Sequence, residues 1–149
     1  LSGDYAQDIS KLFSAGPLET SIIGKEIGKA SALKMAYAAY SKGTTALLAA
    51  ILATAENFDV RSELEAQWAK YEPEFVQEAH ARTKRVTAKA WRFEGEMDEI
   101  AETFAEAGLP SGFHEAAGEI YQRIAHLKEV DEIPELKIVL EKLLNIEQL

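Results

Sequence analysis

The sequence predicts an all-α fold, and three observations support this prediction. The 149 residues include only four prolines and nine glycines, so helix-breaking residues are sparse. Between them, apolar residues recur mainly at intervals of three and four, which is the period of a helix with one buried face. The composition, 47% hydrophobic and 28% charged, is that of a globular domain with its own core. We therefore expect one predominantly helical domain of ordinary size.

The first segment of the chain predicts one helix and one short strand. Residues 4–15 form an amphipathic pattern that ends at the helix-terminating pair Gly16-Pro17. The predicted apolar face consists of Tyr5, Ile9, Leu12 and Phe13. Residues 19–24 then contain a β-branched run that is too short for a helix, so we expect a single short strand there.

The segment from Gly28 to Glu56 is the most unusual part of the sequence, because nearly every residue is small or apolar. Such a pattern predicts one long Ala-rich helix that is buried on all sides, in a core or in an interface. The uninterrupted apolar stretch is only Ala46 to Ala55, which is too short to cross a bilayer. We expect no contact with a membrane.

Amphipathic patterns predict the remaining helices, and Pro or Gly marks several of their ends. Gly95 is expected to separate the third helix of this region from the second. The predicted helices cover residues 61–71, residues 74 to about 90, the region of residues 97–105, residues 111–124, and a last segment that begins at Pro134.

Charge and residue usage exclude several classes of function. Sixteen basic residues against 25 acidic residues give a net charge of −9, which disfavours binding to nucleic acid or anionic membranes. The absence of cysteine excludes disulfides, thiolate metal sites and cysteine nucleophiles. His114-Glu115 lacks the second histidine of a zinc motif, so no metal site is predicted. The chain starts without a secretory signal, so we expect a cytoplasmic protein.

One basic cluster has two interpretations. Arg82, Lys84, Arg85 and Lys89 recur at helical spacing. Such a cluster is usually a solvated helix face whose cations pair with acidic neighbours, but it could also hold a phosphorylated ligand.

Lys34 is the residue with the strongest chemical signal. An ammonium in a buried stretch carries a large desolvation cost, and the same desolvation would lower its pKa toward the range that suits acid–base catalysis. On a helix it would share a face with Ser31 and Tyr37. The alternative is a structural lysine that extends to water or pairs with a carboxylate. The residues alone leave both interpretations open.

The segment around Lys34 resembles a known family of enzymes. Gly28-Lys29-Ala30-Ser31-Ala32-Leu33-Lys34-Met35-Ala36-Tyr37 is similar to the junction between the two domains of β-hydroxyacid dehydrogenases, the family of 3-hydroxyisobutyrate and 6-phosphogluconate dehydrogenases. The longer phrase ASALKMAYAAYSKGTTALLAAILATAE resembles the branch of NAD-binding phosphogluconate dehydrogenases. The resemblance covers essentially the whole chain.

The resemblance implies a domain organisation and a cofactor. Residues 1–27 would be the tail of a Rossmann domain, and residues 28–149 would be a 6-phosphogluconate dehydrogenase-like C-terminal helical bundle around the Ala-rich helix. NAD or NADP would be bound mainly by the N-terminal Rossmann domain, because no G-x-G-x-x-G occurs in the 149 residues. We expect no cofactor on this chain alone, and no activity from it.

The resemblance also implies roles for individual residues. Lys34 would be the catalytic lysine, which takes the hydroxyl proton of a small hydroxy acid as hydride leaves the carbinol carbon. Gly28, Ser31 and Tyr37 would contact the substrate. The family asparagine after the lysine is replaced by Tyr37 or Ala38, and Tyr37 could substitute with its hydroxyl.

Glu96 is the cofactor-binding residue that the resemblance implies most weakly. The family has a Lys-Asp pair at the position where this chain has Gly95-Glu96. A cationic contact near the cofactor would therefore be missing.

A non-catalytic function is the alternative hypothesis. The Ala-rich segment 28–56 could pack against its own copy and make the chain a helical assembly module, because interfaces of obligate dimers resemble a domain core. A homodimer through this segment is expected under either hypothesis. Pairing of Lys34 inside a core would favour assembly, and a pocket beside Lys34 would favour the enzyme.

Overall fold

The computed structural model describes residues 1–129 and 132–144, and it confirms the all-α prediction. Every regular element in this part of the chain is helical. The chain forms two compact units, Leu1–Ala38 and Ala39–Leu149.

The first unit contains two helices, α1 (Ala6–Leu12) and α2 (Lys29–Ala38). Between them, the backbone of residues 21–24 is hydrogen-bonded to the start of the chain. The N-terminal nitrogen of Leu1 donates to the Ser21 carbonyl at 2.7 Å, and the Ile23 N–H donates to the Leu1 carbonyl at 3.0 Å. Leu1 therefore bonds to Ser21 and Ile23, the two neighbours of Ile22. This is the hydrogen-bond pattern of a parallel strand pair.

The strand predicted at residues 19–24 is therefore wrong as a regular element, although its backbone makes strand-like bonds. On the N-terminal side, the pairing consists of the two bonds of Leu1 and one further bond. In that bond, the Gly3 N–H donates to the Gly24 carbonyl at 3.2 Å. Gly3 and Gly24 both have positive φ, at 115° and 138°, which ends the regular geometry on both sides. The described chain contains no assigned strand.

The second unit contains six α-helices and three short irregular helices in the described part of the chain. They are a π-helical turn (Ala39–Gly43), α3 (Thr44–Asn57), α4 (Arg61–Tyr71), α5 (Phe75–Val86), a 3₁₀ turn (Thr87–Lys89), α6 (Ala90–Glu106), α7 (Gly112–Ile124), a 3₁₀ turn (Ala125–Glu129) and α8 (Leu136–Leu144). Helix α3 contacts α4, α5, α7 and α8, and α6 packs along α7. The fully buried side chains include Leu52, Met97, Ile100, Tyr121, Ile124, Val139 and Leu140.

Residues 29–57 are helical without a gap, so the helix predicted from Gly28 to Glu56 is present, but it differs from the prediction in two respects. The segment is divided into α2, the π-helical turn and α3. In addition, Ala38 is the only buried residue of α2, whereas α3 buries seven of its residues. The apolar composition predicted a helix that is buried on all sides, but within this chain only part of α3 is buried in this way.

Gly95 does not break the helix as predicted. Helix α6 runs through it from Ala90 to Glu106, and the irregular segment lies earlier, at Thr87–Lys89. A glycine inside a helix costs about 1 kcal/mol relative to alanine. Burial of Phe93, Met97, Ile100 and Ala101 on the same helix offsets this cost.

No helix in the described ranges is long and apolar enough to cross a membrane.

Candidate functional site

Lys34 lies in an open cleft of about 490 Å³ that is formed entirely within the first unit. One wall is α2, which contributes residues at positions i, i+3, i+4 and i+7: Ala30, Leu33, Lys34 and Tyr37. This spacing defines one face of a helix. The opposite wall contains Leu1 and alternate residues of the paired segment: Glu19, Ser21 and Ile23. Alternation is expected where a backbone is strand-like.

The Lys34 side chain is exposed, which corrects the prediction that it lies in a buried stretch. Its ammonium forms no ion pair or hydrogen bond with the described residues. The desolvation expected from the sequence is therefore absent in this chain by itself. Lys34 is nevertheless free to meet a ligand in the cleft.

Of the three residues predicted to contact a substrate, only Tyr37 lines the cleft that contains Lys34. Tyr37 lines the cleft with Lys34, and its side chain is 73% exposed. Ser31 is exposed on α2 but does not line the cleft. Gly28 precedes α2 with φ at 94°, and its carbonyl accepts the Ala32 N–H at 2.9 Å. The structure thus brings Lys34 and Tyr37 together in the cleft, whereas Gly28 lies directly before the start of α2.

Local contacts fix the start of α2 against the paired segment. The Ala30 N–H donates to Ser2 Oγ at 3.1 Å, so a side chain next to Leu1 satisfies one of the free N–H groups of the first helical turn. The positive φ of Gly28 is a conformation that a residue with a side chain rarely adopts. These two features hold the helical wall of the cleft next to the other wall.

Glu19 and Ser21 are site residues that sequence reasoning missed. The segment 19–24 was predicted only as a strand, and its side chains were not assigned to the Lys34 site. The signal that could have found them is the alternation of Glu19, Ser21 and Ile23 on one side of a strand-like backbone. Glu19 makes no ion pair with a described cation, including Lys34.

In the second unit, the π-helical turn is held by a partly buried ion pair. The Lys42 ammonium pairs with the Glu96 carboxylate of α6 and lies 4.9 Å from the centroid of the Phe93 ring. A cation that meets a carboxylate and an aromatic face is well compensated for partial burial. Glu96, the predicted cofactor-binding residue, therefore has a partner within this unit, and its role toward a cofactor stays a prediction.

Tyr121 also fixes the π-helical turn. Its hydroxyl donates to the Lys42 carbonyl at 2.7 Å, and its ring is fully buried. Burial raises the pKa of the Tyr121 phenol well above its ordinary value, so the hydroxyl keeps its proton. π-Helical turns are rare and need such support from their surroundings.

The predicted basic cluster is divided between α5, which carries Arg82, Lys84 and Arg85, and the 3₁₀ turn, which carries Lys89. Arg82 donates to the hydroxyls of Thr44 and Thr45 at 2.8 and 2.7 Å, and Lys84 pairs with Glu135 at 3.3 Å. Arg85 and Lys89 are exposed. Two of the four cations thus have structural partners, as the solvated-face interpretation expects.

His114 is a buried titratable group next to the π-helical turn. Its ring lies between the Phe104 and Phe113 rings, with centroids at 4.3 and 5.0 Å, and its Nδ1 has no hydrogen-bond partner among the described residues. Burial lowers its pKa. A Cβ at Gly43 would lie 3.1 Å from the Phe113 ring and 3.3 Å from the His114 ring, so a larger residue there would require these rings to shift.

The described residues contain neither a cluster of metal-ligating side chains nor the glycine fingerprint of a dinucleotide site. No group of three metal-ligating side chains occurs in residues 1–129 and 132–144. The turn that leads from the paired backbone into α1 reads Leu1-Ser2-Gly3-Asp4-Tyr5-Ala6, without the glycine fingerprint. Asp4 and Asp8 would repel a pyrophosphate there. This turn therefore does not fit the pyrophosphate of a dinucleotide.

Residues 55–124 match the domain of unknown function DUF1932. The matched region lies within the second unit and does not include the Lys34 cleft. A search of curated proteins finds no match.

A solved structure supports the fold. The chain is similar to the crystal structure of a conserved hypothetical protein from Sinorhizobium meliloti 1021, with 21% sequence identity and a TM-score of 0.74. The likeness covers 95% of this chain and 49% of that protein. The chain therefore spans about half the length of its structural relative, and the likeness concerns the fold alone.

Proposed function

We propose that this chain is the C-terminal helical part of an NAD(P)-dependent β-hydroxyacid dehydrogenase, with Lys34 as its catalytic residue. The observation that carries the proposal is the two-walled cleft that holds Lys34 and Tyr37. The sequence left two roles open for Lys34, and a free ammonium beside a cleft favours catalysis over a structural role. The proposed contacts of Ser31 and Gly28 with the substrate are supported only by the family resemblance.

In this proposal, Lys34 moves a proton at the substrate hydroxyl. A nicotinamide held by a Rossmann domain outside these residues would take the hydride. The Lys34 amine accepts the hydroxyl proton in oxidation and returns it in reduction. Tyr37 lines the same cleft three residues along α2, and in this proposal its hydroxyl orients the substrate by a hydrogen bond.

Lys34 needs further desolvation for this role. Its side chain is exposed in the chain, and an amine becomes a base near neutral pH only when burial disfavours its ammonium form. We infer that bound substrate and a covering domain supply this burial.

The surface of the first unit supports an additional domain next to it. The predicted apolar face of α1 is formed but uncovered: Tyr5 is 76% and Leu12 is 80% exposed. The parallel backbone pairing of Leu1 with residues 21–23 also resembles part of a larger parallel sheet, which is normally covered on both faces. A Rossmann domain would supply both the sheet and the cover.

Replacement of Lys34 tests the proposal in the polypeptide that joins this chain to its Rossmann domain. Lys34→Met should lower kcat with a hydroxy acid by at least about a hundredfold, since proton transfer is lost, and leave cofactor affinity nearly unchanged. Lys34→Arg should be equally inactive, because a guanidinium keeps the charge but is not a base.

Lys25→Met provides the matched control. Lys25 is exposed in the same unit but does not line the cleft, so its replacement should leave kcat unchanged. Retained turnover in Lys34→Met would remove Lys34 from catalysis.

We also propose a second function, self-association, which is compatible with the first. Helix α3 carries an apolar ridge between two grooves, one of about 430 Å³ beside α4 and one of about 270 Å³ beside α7. Leu47 and Ala50 line both grooves, and Leu47 is 45% exposed. A two-fold axis brings the same patch of both copies together, so in this proposal the ridge of each copy packs into a groove of the other.

A further inference from the structure

The Lys34 cleft contains two opposite charges that do not neutralise each other. Lys34 projects from the helical wall and Glu19 from the opposite wall. No ion pair joins them, and neither has another ionic partner among the described residues. The ammonium of Lys34 and the carboxylate of Glu19 therefore lie too far apart for an ion pair, and each group is available to a ligand.

The rest of the lining divides the cleft between apolar and hydroxyl groups. Leu1, Ile23, Ala30 and Leu33 are apolar, whereas Ser21 and Tyr37 carry hydroxyls. Glu19 is the only acidic side chain among the described lining residues. An anionic group at the far end of a ligand would therefore meet the Glu19 carboxylate.

We propose that Glu19 is a specificity-determining residue that selects hydroxy acids whose far end is a hydroxyl or an ammonium, and that excludes those ending in a carboxylate or phosphate. This inference rests on the proposed function of the Lys34 site. The reacting hydroxyl of the substrate lies at Lys34, as in the proposed function, and the far end of the substrate donates a hydrogen bond to Glu19. Selection against an anionic far end arises from like-charge repulsion by the Glu19 carboxylate.

The experiment compares two substrates in the polypeptide that joins this chain to its Rossmann domain. The substrates are 3-hydroxy acids of equal length, one with a terminal hydroxyl and one with a terminal carboxylate. The ratio of their kcat/KM values measures the selection. We expect the wild type to prefer the terminal hydroxyl, Glu19→Gln to lower the preference about tenfold, and Glu19→Lys to reverse it.

Asp4→Asn is the matched control, because Asp4 is an exposed carboxylate of the same unit outside the cleft. Its ratio should equal that of the wild type. Glu19 is exposed, so its replacement should not affect folding, which circular dichroism would verify.

The outcomes separate this inference from the proposed function. The role of Glu19 would be overturned if the wild type preferred the substrate with the terminal carboxylate, or if the Glu19 variants had the same kcat/KM ratio as the wild type. In either case, an inactive Lys34→Met variant would still support the dehydrogenase proposal. Turnover by Lys34→Met, or no turnover of either substrate by the wild type, would instead overturn the proposed function.

Discussion

At the residue scale, His114 links protonation to stability. Burial lowers its pKa from the ordinary value of 6.5, so the unfolded chain binds a proton more readily than the folded chain. Stability therefore falls as the pH drops below about 6.5, whereas above this value both states are neutral and His114 has no effect. Denaturant titrations at about pH 7.5 and about pH 5.5 should show this loss in the wild type, and a smaller loss in His114→Gln.

The control for His114 is a histidine without such burial. His126 is exposed, so His126→Gln should keep the pH dependence of the wild type. An identical pH dependence in His114→Gln and the wild type would show that other groups cause the loss.

At the element scale, the π-helical turn depends on contacts from distant helices. Tyr121→Phe removes the hydroxyl that bonds to the Lys42 carbonyl and leaves a partly buried acceptor without this donor. The expected cost is about 1–3 kcal/mol in the free energy of unfolding, measured by urea denaturation. Tyr71→Phe is the control, because Tyr71 is 85% exposed and should change stability by less than about 0.5 kcal/mol. Equal midpoints for Tyr121→Phe and the wild type would mean that the hydroxyl does not stabilise the turn.

At the scale of the whole molecule, the apolar ridge of α3 should determine the association state. We expect the wild type to sediment as a dimer, and Leu47→Glu to shift it to the monomer, because a carboxylate would be buried in the interface without a partner. Leu109→Glu is the matched control, since Leu109 is 55% exposed and lies outside both grooves. A wild type that remains strictly monomeric at high concentration would contradict the self-association proposal.

The sequence by itself determined the all-α class of this protein, several of its helices and the helical wall of its candidate site. Apolar residues at three- and four-residue intervals depend only on local geometry, so the periods that predicted helices at residues 61–71 and 111–124 agree with α4 and α7. The same geometry placed Tyr37 on the face of Lys34, as the cleft confirms.

Only the tertiary structure decided the contacts between residues that are distant in sequence. In the first unit, the pairing of Leu1 with residues 21–23 places Glu19 at the Lys34 cleft. In the second unit, Lys42 of the π-helical turn contacts Glu96, which is 54 residues away in the sequence. Burial depends on which surfaces meet, and composition does not specify this. For that reason the Ala-rich segment predicted a buried Lys34, whereas the folded chain leaves Lys34 exposed in an open cleft.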